Sequence, residues 1–275
     1  MRFKKILLAT DGTPEAAAAV DATISLARYG PAHVCVLQVS SQEPTPEEER
    51  LVQDTVDRLT NASVMAGKEV HRADHQNVAR VVATIAKESG ADLVVVGSRG
   101  LSDWQSLRHH SVSHEILALL DCPVLVVRGD RGHSAIGKMR RILVAVAGGD
   151  DVKPATDAAI TVAATVPAQA LVLHVAQALF GPEGFAYIES TEAISECVAD
   201  AVRRLAEARI PAETRVLKAG PVATSIIATA TQWNADLIVV GSSRMRDLAS
   251  LVLGSVSHQL LHSAEMPVLI GERAR

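Results

Sequence analysis

The chain states one pattern twice. Arg141-Ile142-Leu143-Val144-Ala145 answers Lys5-Ile6-Leu7-Leu8-Ala9, and Val172-Leu173-His174-Val175 answers Val36-Leu37-Gln38-Val39, both 136 positions later. Further on, Ala235-Asp236-Leu237 answers Ala91-Asp92-Leu93, and Pro267-Val268-Leu269 answers Pro123-Val124-Leu125, both 144 positions later. A repeat this long is a whole domain, not a solenoid unit, so the 275 residues divide into domain 1 (1–130), a linker (131–139) and domain 2 (140–275). The change of offset puts about eight extra residues between the second and fourth strands of the second copy. The stretch 180–187, with Phe180, Phe185, Tyr187 and two glycines, is their expected place. It serves either as a lid on its own domain or as a patch for a partner.

Within each copy, short β-branched runs alternate with amphipathic ones. In the first, Ile6 to Thr10, Ala32 to Val39, Leu93 to Val96 and Val124 to Val127 read as buried strands, with a short one near Glu69 to Ala73. Helices are expected from Glu15 to Arg28, from the Pro- and Glu-rich turn at 43–49 to about Ala66, from Val78 to Ser89, and from Ser111 to Leu120. Five strands alternating with four helices define an α/β domain, a doubly wound five-stranded parallel sheet with helices on both faces. The chain is thus two such sheets in tandem.

Composition removes several classes of partner. A net charge of −4 and the lack of a basic cluster with interleaved aromatics exclude nucleic acid. No apolar run approaches the ~18 residues of a membrane span, and Asp11 and Glu15 interrupt the start too early for a signal peptide; a cytoplasmic location is expected. Cys35, Cys122 and Cys197 are odd in number and widely spaced, as for reduced thiols packed as small hydrophobes.

The chemistry-bearing stretch also occurs twice. In the first copy Gly97-Ser98-Arg99-Gly100 leaves the fourth strand, and a ten-residue run ends at His110 before Ser111-Val112-Ser113-His114. In the second, Gly241-Ser242-Ser243-Arg244 leads to Gly254 and Ser255-Val256-Ser257-His258. A glycine turn leaving a strand and a serine step opening a helix aim backbone N–H groups at one point, which is how phosphate is bound without lysine. Gly-x-x-Gly, nine residues, then Gly-Ser/Thr resembles the ATP-binding signature of universal stress proteins. The flanking Ser-Val-Ser and Cys-Pro-Val-Leu-Val-Val fit that family, and the resemblance covers nearly the whole chain as a tandem member.

The resemblance implies a Rossmann-like, adenine-nucleotide-α-hydrolase-like fold whose ligand crosses the carboxyl ends of strands one and four, where strand order reverses. It makes Thr10, Asp11, Gly12 and Val39 the base and ribose side, and Gly97, Arg99, Gly100, Ser111, Val112 and Ser113 the phosphate side. His110 stands where the signature has glycine; its Cβ obstructs close approach or its imidazole donates to a phosphate. The second site is degenerate: Ala147, Val175, Gly241, Arg244, Gly254 and Ser255 hold the corresponding positions, with alanine for the carboxylate and arginine for the second glycine. The ligand implied is ATP with Mg2+, or ADP or AMP. The resemblance further implies that the strands 124–127 and 268–270 pair within the chain as a pseudo-dimer, with homodimerisation compatible but not required.

Two other motifs are set aside. Gly132 to Lys138 has P-loop spacing, but Met139 replaces the magnesium-binding Ser or Thr and a strand follows where a helix is needed. His109, His110 and His114 lack further ligands nearby, so no metal is assigned. No nucleophile–base–orienter set is visible, so catalysis is not expected beyond slow ATP hydrolysis. The reading is a stress-response regulator binding an adenine nucleotide, chiefly in domain 1, with an unidentified protein partner. The alternative is a tandem scaffold that binds no nucleotide and acts through protein contacts.

Overall fold

The structure is a computed structural model and describes residues 2–12, 16–28, 30–40, 42–73, 77–98, 112–129, 139–148, 152–181, 184–187, 189–218, 220–241 and 255–272. The first half runs β1 (Lys5–Ala9), α1 (Ala17–Ala27), β2 (His33–Ser40), α2 (Pro46–Asn61), β3 (Met65–Arg72), α3 (Val78–Ser89), β4 (Leu93–Ser98), α4 (Val112–Leu119) and β5 (Val124–Arg128). The second runs β6 (Arg141–Ala145), α5 (Val152–Ala163), β7 (Gln169–Ala176), β8 (Ala178–Gly181), β9 (Gly184–Tyr187), α6 (Thr191–Glu207), β10 (Ala212–Lys218), α7 (Val222–Gln232), β11 (Leu237–Val240), α8 (Ser255–Ser263) and β12 (Val268–Ile270). Each half is a parallel sheet, ordered β3-β2-β1-β4-β5 in the first and β10-β7-β6-β11-β12 in the second.

The two sheets are one. β5 and β12 pair antiparallel, Val126 with Val268 and Val124 with Ile270, making ten continuous strands. These apolar strands would otherwise end each domain as exposed edges, which invite pairing. Arg128 closes the join: it is buried, and its Nη1 donates to the His262 carbonyl at 2.7 Å. Arg2 adds a second tie, its Nε donating to the Ala164 carbonyl at 2.8 Å. The remaining edges, β3 and β10, carry Lys68, Glu69 and Arg72, and Glu213, Arg215 and Lys218, charges that discourage further strand addition.

Strand alternation sorts the core into two layers. Ile6, Leu8, Val34 and Val36 pack with α1 and α2, while Leu7, Leu37, Val94 and Val96 pack with α3 and α4. The second half repeats this with Ile142 and Val144 on one face and Leu143 and Leu173 on the other.

The extra residues of the second copy form the antiparallel β8–β9 hairpin, which ends with the expected stretch at Tyr187 and begins two residues before it, at Ala178. One boundary differs from expectation. α2 stops at Asn61, and β3 begins at Met65 to pair with β2 over its whole length. The helix ends in a left-handed residue, Ser63 (φ 63°), with the Val64 N–H bonded to the Leu59 carbonyl at 3.0 Å. This C-terminal cap usually carries glycine, and with serine there the stop left no mark in the sequence. The second half repeats the device with Arg209 (φ 59°) and an Ile210 N–H bonded to the Leu205 carbonyl.

Candidate functional site

Strand order reverses between β1 and β4, which are direct neighbours (Ala9 beside Val96), and the helices that follow them, α1 and α4, pack on opposite faces, the arrangement that leaves a crevice at the carboxyl ends. Thr10 continues the ladder, its N–H bonding the Leu37 carbonyl at 2.9 Å. Its Oγ1 then accepts the Gly12 N–H at 3.1 Å, turning the chain sharply and leaving Asp11 exposed at the crevice. Gly12 takes φ +72°, and a Cβ there would lie 2.7 Å from Leu51 Cβ. Gly97 has a packing reason as well: its Cβ would sit 3.3 Å from the Ala16 Cα of the chain entering α1. Both glycines therefore let helices approach the strand ends closely, whatever the ligand.

Thr10, Asp11, Gly12, Val39 and Gly97 are brought to the same end of the sheet, with Val112 and Ser113 opening α4. Arg99, Gly100, His110 and Ser111 lie outside the described residues, as do Arg244 and Gly254 of the second half. Ala147, Val175 and Gly241 stand at the equivalent strand ends of the second half, and Ser255 opens α8. Residues 131–138 of the linker also lie outside the described residues; Met139, which ends it, is buried.

Several groups near the crevice carry no sequence signature. In the first turn of α2, Glu48 accepts from the Thr45 backbone N–H at 2.7 Å and from Ser40 Oγ at 2.9 Å. These donors, the backbone N–H foremost, hold its carboxyl below the usual range, and they fix the loop that follows β2. In domain 2, at the position that Gln38 holds in domain 1, His174 is buried, with Nδ1 donating to the Val146 carbonyl at 3.0 Å and Nε2 meeting Glu189 Oε2 at 3.0 Å. On the opposite face, β3 places His71 in register beside Val39, its Nε2 3.1 Å from Glu69 Oε2. A reader following the parallel register outward from Val39 would have found it; motif spacing could not.

Cys35, Cys122 and Cys197 form no disulfide. Burial, then the charge and hydrogen bond of Glu69, pushes Cys35 up to about 12, and burial pushes Cys122 up to about 11. Neither is a thiolate nucleophile at neutral pH. Cys197 is buried, with its Sγ 3.2 Å from the Ala147 carbonyl. Among the described residues no group of three or more His, Cys, Asp or Glu is placed to hold a metal ion, and no helix is long and apolar enough to cross a membrane.

A doubly wound sheet with a crevice at its reversal point, repeated in tandem, gives the chain a Rossmann-like, adenine-nucleotide-α-hydrolase-like fold in two domains. The model of the universal stress protein family matches it twice, over residues 2–128 and 138–270, and the chain belongs to that family. It is 25% identical over 291 residues to universal stress protein Rv2005c of Mycobacterium tuberculosis (strain ATCC 25618 / H37Rv), covering 98% of this chain and 97% of that protein. It is 31% identical over 147 residues to universal stress protein YxiE of Bacillus subtilis (strain 168), covering 46% of this chain and 99% of that protein, one domain's worth. A universal stress protein from Archaeoglobus fulgidus DSM 4304 shares the fold over 98% of both chains, with a TM-score of 0.70 at 16% identity.

Proposed function

We propose that the chain is a nucleotide-responsive stress regulator that binds one adenine nucleotide, in domain 1. The observation that carries this reading is the contrast between the two crevices. Asp11 ends the first strand of domain 1, and Ala147 holds that place in domain 2. A carboxylate can accept from ribose hydroxyls or the base; a methyl group cannot. The phosphates would then lie toward the glycine turn after β4 and the amino end of α4, where backbone N–H groups favour anions. ATP brought in with Mg2+ is the preferred ligand, with ADP and AMP as alternatives.

Isothermal titration of the full chain with ATP and magnesium tests this. One site is expected, lost in Asp11→Ala and unaffected by Gly254→Arg. Losing a hydrogen bond to a charged group costs about 1.5–3 kcal/mol, at least about tenfold in affinity. Two equal sites, or one site abolished only by changing Gly254 or Ser255, would place the ligand in the other half. Complete absence of binding would favour the scaffold reading. The apolar strand ends of domain 2 suit that alternative, a half retained for contact with a protein partner.

A further inference from the structure

We propose that His71, oriented by Glu69, reads the 6-amino group of a purine bound in domain 1. The inference rests on the nucleotide reading above and deepens it from ligand class to the group recognised.

In the parallel register Val39 lies beside His71, and Leu37 lies beside Glu69. Val39 packs against the core layer under α3 and α4, as does Cys35. Leu37 belongs to the same layer, and residues side by side in a parallel register point to one face, so Glu69 and its partner His71 share that face. Passing outward along the strand ends, β4, β1, β2 and β3 therefore offer the backbone at Gly97, the carboxylate of Asp11, the apolar Val39 and the imidazole of His71. A nucleotide with its phosphates at β4 and ribose at Asp11 lays its base over Val39, with the outer edge of the base toward His71. The opposite direction is taken: beyond β4 stands β5, whose terminal Arg128 is committed to the second domain through the His262 carbonyl.

Glu69 decides what His71 offers. An ionised carboxylate only accepts, so the 3.1 Å contact puts the ring proton on Nε2 and leaves Nδ1 as an acceptor in the neutral ring. An acceptor suits the 6-amino group of adenine and opposes the 6-oxo group of guanine or hypoxanthine. Domain 2 lacks the whole device. There Val175 pairs with Leu217 and Leu173 with Arg215, so leucine stands where His71 does and arginine where Glu69 does.

The test compares ATP with inosine triphosphate, which differs in having oxygen for the 6-amino group, by titration of the full chain. Wild type should favour ATP by about tenfold, the order of one hydrogen bond gained against one clash of acceptors. His71→Leu, which copies domain 2, should bind both alike. His71→Gln keeps a carbonyl acceptor and should retain most of the preference. Glu69→Ala should weaken it partly, with no further loss when added to His71→Leu. A purely structural role would alter affinity for both ligands and leave their ratio alone. Equal binding of the two by wild type, or a ratio unchanged in His71→Leu, would overturn the inference while leaving Asp11-dependent binding intact. A wild-type chain that binds neither nucleotide would overturn it together with the reading beneath it.

Discussion

Leu125 and Leu269 face one another across the antiparallel junction of an otherwise parallel sheet, each 1% exposed. Their contact makes one structural body of two domains, because the ladder of β5 is completed by β12. Expressed alone, residues 1–130 would present β5 as an open apolar edge, and such edges seek a partner. The fragment is expected to dimerise through β5, shown by sedimentation equilibrium. A stable monomer at every concentration would show that the junction is dispensable.

Glu48 ties α2 to the end of β2 as a carboxylate. Because its acceptor bonds hold the folded value below the ordinary 4.5, the stability they add is present above that value and lost as pH falls through the lowered one. Glu48→Gln should therefore be less stable than wild type near neutral pH, and the gap should close below about pH 4.5. Urea unfolding at several pH values measures this. A gap independent of pH would mean that shape, not charge, holds the loop.

The sequence shows the fold so fully because its signals are local: apolar runs such as Leu93-Val94-Val95-Val96, answered by Leu237-Ile238-Val239-Val240, and breaks such as the Pro- and Glu-rich turn at 43–49 before α2. It concealed the end of α2, where Ser63 takes a left-handed conformation without the usual glycine. It also concealed the side-chain partners that neighbouring strands and loops bring to the crevice. His71 beside Val39 and Glu189 beside His174 are long-range juxtapositions fixed by register and by a helix start. No spacing rule within one stretch encodes them. Asp11 and Gly97 were legible because they end strands.

Gly12 tests how tightly the turn after β1 is built. Alanine there must hold φ +72° and place a methyl group 2.7 Å from Leu51 Cβ. The left-handed conformation costs about 1–2 kcal/mol, and overpacking adds a comparable amount. Gly12→Ala should lower stability by about 2 kcal/mol or more in urea unfolding. In Gly12→Ala/Leu51→Ala the overpacking part should return and the backbone part remain. Full recovery in the double variant would mean that the conformation costs nothing.

The last prediction concerns the hairpin of domain 2. Glu189 lies just beyond β9 and bonds His174, whose side chain is 1% exposed. Its other carboxylate oxygen crowds Gly148, where a Cβ would come within 2.9 Å of Oε1. The carboxylate thus fastens the returning end of the hairpin over the turn that follows β6. Glu189→Ala would leave the ring nitrogen buried without its partner, at a cost of about 1–3 kcal/mol. The loss should be local before it is global: amide hydrogens of 178–187 should exchange faster, while those of β6 and β7 change little. Gly148→Ala should loosen the same segment by displacing Glu189, with the His174 ring left in place. Unaltered exchange in the hairpin of Glu189→Ala, together with unchanged stability, would show that His174 needs no partner and that the hairpin is held by its own contacts.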